Sequence, residues 1–493
     1  MKKNIFYLVA ISAMLTTSCR KIEMDGEKEV IIINGGGSGS TGQTITVSGR
    51  INADTTFRKA NTYILKGLVY IVGNHTITIE PGTVIKGAFS GADVAALIIT
   101  RGSKIMAAGT ETEPIIFTSS SPNPQSGDWA GIVLCGRASI NASYNGINGL
   151  YQVEGGIDNA NGDGLAGSGD GSPATTPVDN DNSGTIKYVR IEYAGYGFQP
   201  DKEINSLTMA CVGSGTTIDH VEVAYAKDDA YEWFGGTVNC KYLISYKTQD
   251  DDFDTDNGFS GKVQFGLVLR DSVIADISTS EAFESDNNAS GTTAAPKTKA
   301  IFSNITAIGP RATLNNIGSS LFRCGAQIRR NSAISIFNSI IMGWPQGILI
   351  DGTTGTATAL NIEDSSLRLR NVTLAGNGNS TASAHLAFSG TGGTNINSLA
   401  SLTTWFTNAY YGNDLLTNAS DAKLIQPFNY TAWDPTPFAG SNGNQKILNA
   451  ADFSDPKVAG DLFFDKTATF RGGVAPGGPL ATWWKGWTKF NYN

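Results

Sequence analysis

Basic residues, histidines and long apolar runs are what this sequence has least of. Lys and Arg number 36 against 44 Asp and Glu over 493 residues, a formal net charge of −8. Nucleic-acid phosphates call for a basic stripe, so this balance argues against a nucleic-acid partner. The only three histidines, His75, His220 and His385, are far apart in the chain. They read as strand or turn residues rather than as a metal or catalytic cluster. No G-x-S-x-G turn and no Walker loop occurs, which removes the usual signs of a serine hydrolase or a P-loop enzyme. No C-x-x-C pair is present either. Beyond the N-terminus no segment approaches the 18 or so consecutive apolar residues of a membrane-spanning helix.

The N-terminus has its own pattern. Lys2 and Lys3 precede the apolar stretch IFYLVAISAML (5–15), and Thr16, Thr17 and Ser18 lead up to Cys19. The run is too short to cross a bilayer as a helix and suits a secretory signal. A cysteine directly after small residues suits lipoprotein maturation, although Leu15 stands four residues before it rather than the usual three. Residues 1–18 are therefore expected to be a signal peptide, with Cys19 lipidated and two acyl chains as the membrane anchor. An ordinary cleaved signal is the alternative. Acids at Glu23, Asp25, Glu27 and Glu29 follow. They resemble the export signal of Bacteroidetes lipoproteins that face outward from the outer membrane, or else form a solvated spacer. The Gly/Ser-rich stretch 34–45 reads as flexible, so residues 19–46 are expected to be a lipidated tether. Without residues 1–18 the chain keeps 34 basic and 44 acidic residues, a net charge of −10. That suits calcium or neutral glycans as ligands.

What the chain has in quantity is glycine, 58 residues, together with Thr, Asn and Ser, the composition of β structure with many turns. One pattern recurs: IKYVRIEY from Ile186, IDHVEVAY from Ile218, CKYLISYK from Cys240, FSNITAIG from Phe302, FNSIIMGW from Phe337 and LRNVTLAG from Leu369. The closest spacing, Ile218 to Cys240, is 22 residues. Coils of about that length, some carrying inserted loops, would each need neighbours to bury their apolar face. The expected fold is all-β: a single right-handed parallel β-helix over 47–431, with a β-sandwich array as the alternative. Residues 145–184 read as a long Gly/Asp/Asn loop, and 398–410 as an amphipathic helix. The segment 432–493, with Trp433, Trp483, Trp484 and Trp487, is expected to cap the open end, although such aromatics also suit sugar stacking. Cys135, Cys211, Cys240 and Cys324 are expected to be buried free thiols, though export permits disulfides.

The chemistry is expected where acids cluster. Three windows, KDDAYEWF (227–234), QDDDFDTDNG (249–258) and EAFESDN (281–287), superpose as Asp229-x-Tyr231-Glu232, Asp251-x-Phe253-Asp254 and Glu281-x-Phe283-Glu284. Equivalent positions on successive coils lie about 4.8 Å apart. The aromatics would stack inward, and Asp229, Glu232, Glu281, Glu284 and Asp286 would form an acidic column outside. Carboxylates that close repel one another and raise each other's pKa unless a cation sits between them. Calcium, which takes six to eight oxygens, is the expected cofactor. Asp228, Asp250, Asp251 and Asp254 are its expected ligands, and a solvated acidic face is the alternative.

Two resemblances add to this reading. The runs EPGTVIKG, LIITRGSKIMAAGT, PIIFTSS, DWAGIVLCGRASIN, DDAYEWFGGT and DDDFDTDNGFSGKVQFGL resemble a group of Bacteroidetes surface lipoproteins taken to be β-helices. That resemblance spans roughly residues 60–490 and implies fold and location, not activity. Asp250-Asp251-Asp252-Phe253-Asp254 is similar to the Asp-Asp-Gly-Phe-Asp motif of calcium-dependent β-helix pectate lyases. It implies calcium on Asp250, Asp251 and Asp254, with Asp228 one coil earlier; Asp252 replaces the family's Gly. In those enzymes a lysine removes the proton beside the uronate carboxylate. Lys297, Lys299 and Arg270 are the cations available here, none placed by motif. The expected function is a cell-surface lipoprotein whose calcium-binding β-helix binds glycan or another extracellular partner without catalysis. The alternative is a polysaccharide lyase, or a glycoside hydrolase using Glu232, Asp254 and Glu284. The oligomeric state is left open.

Overall fold

The computed structural model describes residues 33–34, 42–169, 176–199, 202–316 and 318–492. The expected signal peptide, Cys19 and most of the tether lie outside them. From Thr44 onward the chain winds as a parallel β-helix, and its strands join one 27-stranded sheet among the described residues. Four of the recurring octapeptides are long strands, Gly184–Glu192, Thr217–Ala224, Asn239–Tyr246 and Ile301–Ile308; Lys262–Leu269 is a further one, all stacked in parallel register. The repeats from Phe337 and Leu369 are each broken into two short strands. Ile186, Ile218, Cys240, Val263 and Phe302 fall on one register line, all buried. The apolar first residue of each repeat thus points inward, and burying each such side chain contributes about 1.5–3 kcal/mol.

Each long strand bends once and serves two walls. At the bend sits a residue with left-handed φ that the register skips: Tyr188, His220, Tyr242, Phe265 and Asn304, with φ between 48° and 64°. Side chains other than glycine adopt this conformation at a cost. Stacking offsets it, because the bend turns the rings outward into a column. Ring centroids lie 4.4 Å apart for Tyr188–His220, 4.2 Å for His220–Tyr242 and 5.0 Å for Tyr242–Phe265. The third wall is a separate stack of short strands that includes Leu207–Ala210, Tyr231–Phe234, Phe253–Asp256, Phe283–Ser285 and Cys324–Ile328. The turn joining the second wall to this third one carries the acids.

Two segments depart from the expectation. The 145–184 stretch is more than a loop: it forms two small hairpins, Ser143–Tyr144 with Ile147–Asn148 and Leu150–Gln152 with Leu165–Gly167. Through Leu150, Val153, Ile157 and Ala166, all buried, it lies on the outer face of the third wall. The helix Leu399–Phe406, capped by Ser398, does pack Leu402 and Phe406 into the core at the last coils, beside Leu386–Gly390. The chain after it does not stay at the end. It runs back along the side of the solenoid, with Arg471 on Thr373, Gly473 on Thr306, Trp483 over Tyr242, and Trp487 against His220 and Tyr188. The reason is the aromatic column, an apolar outer wall that this tail covers. Cys135, Cys211, Cys240 and Cys324 are buried and free.

Candidate cation-binding site on the acidic turns

The turns before the third wall repeat a hydrogen-bonding device. Asp229 Oδ1 accepts the N–H of Asp251 at 2.9 Å, and Asp251 Oδ1 accepts the N–H of Glu281 at 2.7 Å. Each aspartate thus ties its coil to the next. The strands that follow pair Tyr231 with Phe253 and Phe253 with Phe283, rings stacked inside at 5.8 and 5.4 Å. The alternation of a strand then puts Glu232, Asp254 and Glu284 on the outer face, one per coil.

Oxygens of Asp228, Asp229 and Asp250 lie within 4.8 Å of one another, and so do those of Asp229, Glu232 and Asp254. Asp229 belongs to both groups. Partners are few: Ser278 donates to Asp250 Oδ2 at 2.9 Å and Asn205 donates to Glu232, while Asp254 Oδ1 is buried with no hydrogen-bond partner. Burial, with Glu203 and Glu154 nearby, pushes the Asp228 carboxyl up to about 8. Burial and the neighbouring Asp228 push Asp250 up to about 9. Asp229, Glu232 and Asp254 are held well above the ordinary carboxylate range, first by burial and then by a neighbouring carboxylate: Asp228 for Asp229, Asp254 for Glu232 and Glu284 for Asp254. Five carboxylates thus converge, none of them ion-paired with a lysine or arginine among the described residues; Arg329, held by Glu284 and Asp286, offsets Asp254 only in part.

A family model described as a pectate-lyase-like beta helix domain matches residues 49–411. The chain belongs to that family. No curated protein and no solved structure matches it.

The remaining acids and the candidate bases of this pectate-lyase-like β-helix fall elsewhere. The far end of the column is neutralised: Arg329 contacts Glu284 at 2.6 Å and Asp286 at 2.9 Å, and Arg330 contacts Asp286 at 2.6 Å. Sequence reasoning missed both arginines. They follow Cys324–Ile328, the next strand of the third wall, but the long loops before and after Ile301–Ile308 lengthen that coil and hide the repeat that would have aligned them. Asp251, an expected ligand, is in neither triad; it is engaged by the Glu281 N–H and by the Glu281 carboxyl. Arg270, an expected candidate base, is wholly buried and pairs with Asp252 at 2.9 Å. It also donates to the carbonyls of Thr248, Asp250 and Glu281. It holds the turn together and is inaccessible to a substrate. Asp252, where the lyase motif has Gly, faces inward, and its pKa reaches about 6 because burial outweighs the Arg270 charge. Lys297 is bound by Asn331 and Asn361, at 3.1 and 2.7 Å. Lys299 is exposed on the side of the tail's Lys457.

Proposed function

We propose that this chain is a calcium-binding, carbohydrate-binding β-helix that acts without breaking bonds. Membership of the pectate-lyase-like family supports a carbohydrate-related function in general terms. The observation that carries the cation is the junction at Asp229, where two carboxylate triads share one residue beside the unpartnered Asp254 Oδ1. An all-oxygen, anionic donor set fits a hard cation such as calcium. Asp228, Asp229, Glu232, Asp250 and Asp254 would hold it, and its charge would favour their ionised forms. Binding rather than catalysis is supported by the placement of the candidate bases. Arg270 is sealed inside, Lys297 is bound to asparagines and Lys299 faces the tail wall.

The test is to incubate the protein with calcium and a panel of uronic-acid and neutral polysaccharides while following absorbance and reducing ends. Unsaturated or hydrolysed product would overturn the non-catalytic reading. A melting temperature unchanged by chelator would overturn the cation. The N-terminal sequence supports a place for this activity, a lipid anchor at Cys19 holding the β-helix on the outer face of the outer membrane. Loss of lipid labelling and of surface exposure in Cys19→Ser is the expected result.

A further inference from the structure

Next to the acidic turns is a cavity of about 500 Å³ whose lining includes Pro124, Gln125, Tyr193, Tyr225, Gln249 and Tyr492. Tyr193 and Tyr225 are equivalent residues of successive coils, just past the end of the second wall. Both have left-handed φ, 62° and 56°, and the bend turns their rings outward. Their rings stack with centroids 5.5 Å apart and planes 24° apart. Tyr492, brought here by the tail, stands edge-on to both, at 5.7 Å from Tyr193 and 5.2 Å from Tyr225. The tail's return along the solenoid therefore completes this cavity as well as covering the aromatic column.

Its chemistry is specific in two respects. No Asp, Glu, Lys or Arg is among its lining residues, so it does not select by charge. Among the described residues, the hydroxyls of Tyr193 and Tyr225 and the side-chain amide of Gln249 make no hydrogen bond within the chain. A site with aromatic faces, free hydroxyls, a free amide and no charge suits a ligand with an apolar face and a rim of hydroxyls. A pyranose ring has that character. The cavity is also joined to the cation site. Gln249 directly precedes Asp250, and Ile274, another lining residue, belongs to the loop whose Ser278 bonds Asp250.

We propose that the Tyr193–Tyr225–Tyr492 cavity is a stacking subsite for an uncharged hexopyranose unit of a glycan. This rests on the carbohydrate-binding reading above but not on the cation. The experiment is affinity electrophoresis of the full-length protein in gels holding β-glucan, mannan, galactan or polygalacturonate, each with calcium and with chelator. At least one neutral polymer is expected to retard the wild type. Tyr225→Ala should weaken that retardation at least tenfold, while leaving any calcium-induced rise in melting temperature unchanged. Gln249→Ala, which removes only a half-buried amide without partners, should weaken it several-fold and serves if Tyr225→Ala does not fold. Tyr225→Phe, which keeps the ring, should stay within about threefold of wild type. Asp229→Asn should lose the calcium response and keep binding to the isolated subsite. If calcium has no thermal effect yet Tyr225→Ala loses retardation, the cation reading fails and the subsite stands. Retardation by polygalacturonate alone, by no polymer, or equally in wild type, Tyr225→Ala and Gln249→Ala would overturn the subsite.

Discussion

The aromatic wall and the acidic turns belong to the same coils, a few residues apart in each repeat, yet they are finished in opposite ways. On the aromatic wall, Tyr188, His220 and Tyr242 are covered by Trp483 and Trp487, and Trp487 is fully buried. Even the buried Glu222 there receives the Lys489 N–H from the tail. On the acidic turns, five carboxylates meet, and among the described residues none of them is ion-paired with a lysine or arginine. The chain is able to neutralise buried acids in this very region, since Asp252 has Arg270 and Glu284 has Arg329. The lack of a counter-charge at Asp229 is therefore local. The proposed cation would supply it there.

The largest effect should come from breaking the one fully buried ion pair on the acidic side. Arg270→Met leaves Asp252 charged and unpaired in the core and strips donors from four carbonyls, those of Thr248, Gln249, Asp250 and Glu281. Losing one partner of such a pair costs about 3–5 kcal/mol, read as a lowered midpoint in urea unfolding. Removing both charges, Arg270→Met with Asp252→Leu, should recover part of that loss. If Arg270→Met is neutral, the contrast between neutralised and open acids has no energetic content.

Asp229→Asn tests the open acids directly. Asparagine keeps an oxygen to accept the Asp251 N–H, so the turn should hold, but it removes charge from both triads. For the wild type, calcium at a hundred times its Kd should add about 2.7 kcal/mol of stability. That gain should vanish in Asp229→Asn, measured as melting temperature with calcium and with chelator. A full calcium response in the variant would move the cation away from the junction.

Much of this arrangement was legible in the residues, and the gaps have physical causes. Repeats 22 residues apart disclosed the register, because inward positions must stay apolar in every coil; Tyr231, Phe253 and Phe283 aligned for the same reason. Asp252 was also readable. It occupies the position of Ala230 and Ala282, both buried, so an acid there demands a buried cation. Its partner was not readable, since Arg270 lies just past a strand and its inward turn depends on tertiary contacts. Arg329 and Arg330 were hidden by the long loops before and after Ile301–Ile308. The tail's path was missed because its tryptophans declare that they will be buried but not against which surface.

A smaller effect, spread over several groups, is expected with pH. Asp228 and Asp250 titrate near 8 and 9 in the folded protein, against about 3.9 when unfolded. Between those values the folded state binds more protons, so stability falls as pH rises. In chelator, the melting temperature should be highest near pH 4 as far as these groups are concerned, and decline toward pH 9. With calcium the decline should flatten, because the cation favours the ionised forms, and calcium affinity should itself rise with pH as protons are displaced. Parallel curves with and without calcium would show that the raised groups are not its ligands.

The smallest effect separates the motif from the geometry. Lyase resemblance implies Asp251 as a ligand, whereas its carboxyl is engaged with Glu281 and stands outside both triads. Asp251→Asn keeps an acceptor for the Glu281 N–H and relieves one like-charge contact with Glu281 and Asp229. Its stability should stay within about 1 kcal/mol of wild type, the net worth of one hydrogen bond. Its calcium midpoint should move by less than about threefold, where Asp229→Asn abolishes the response. Isothermal titration of the two asparagine variants side by side makes the comparison, since they differ by one coil and share the same backbone role. Equal losses in both would return Asp251 to the ligand set and place the cation deeper in the turn, between the coils rather than at the Asp229 junction.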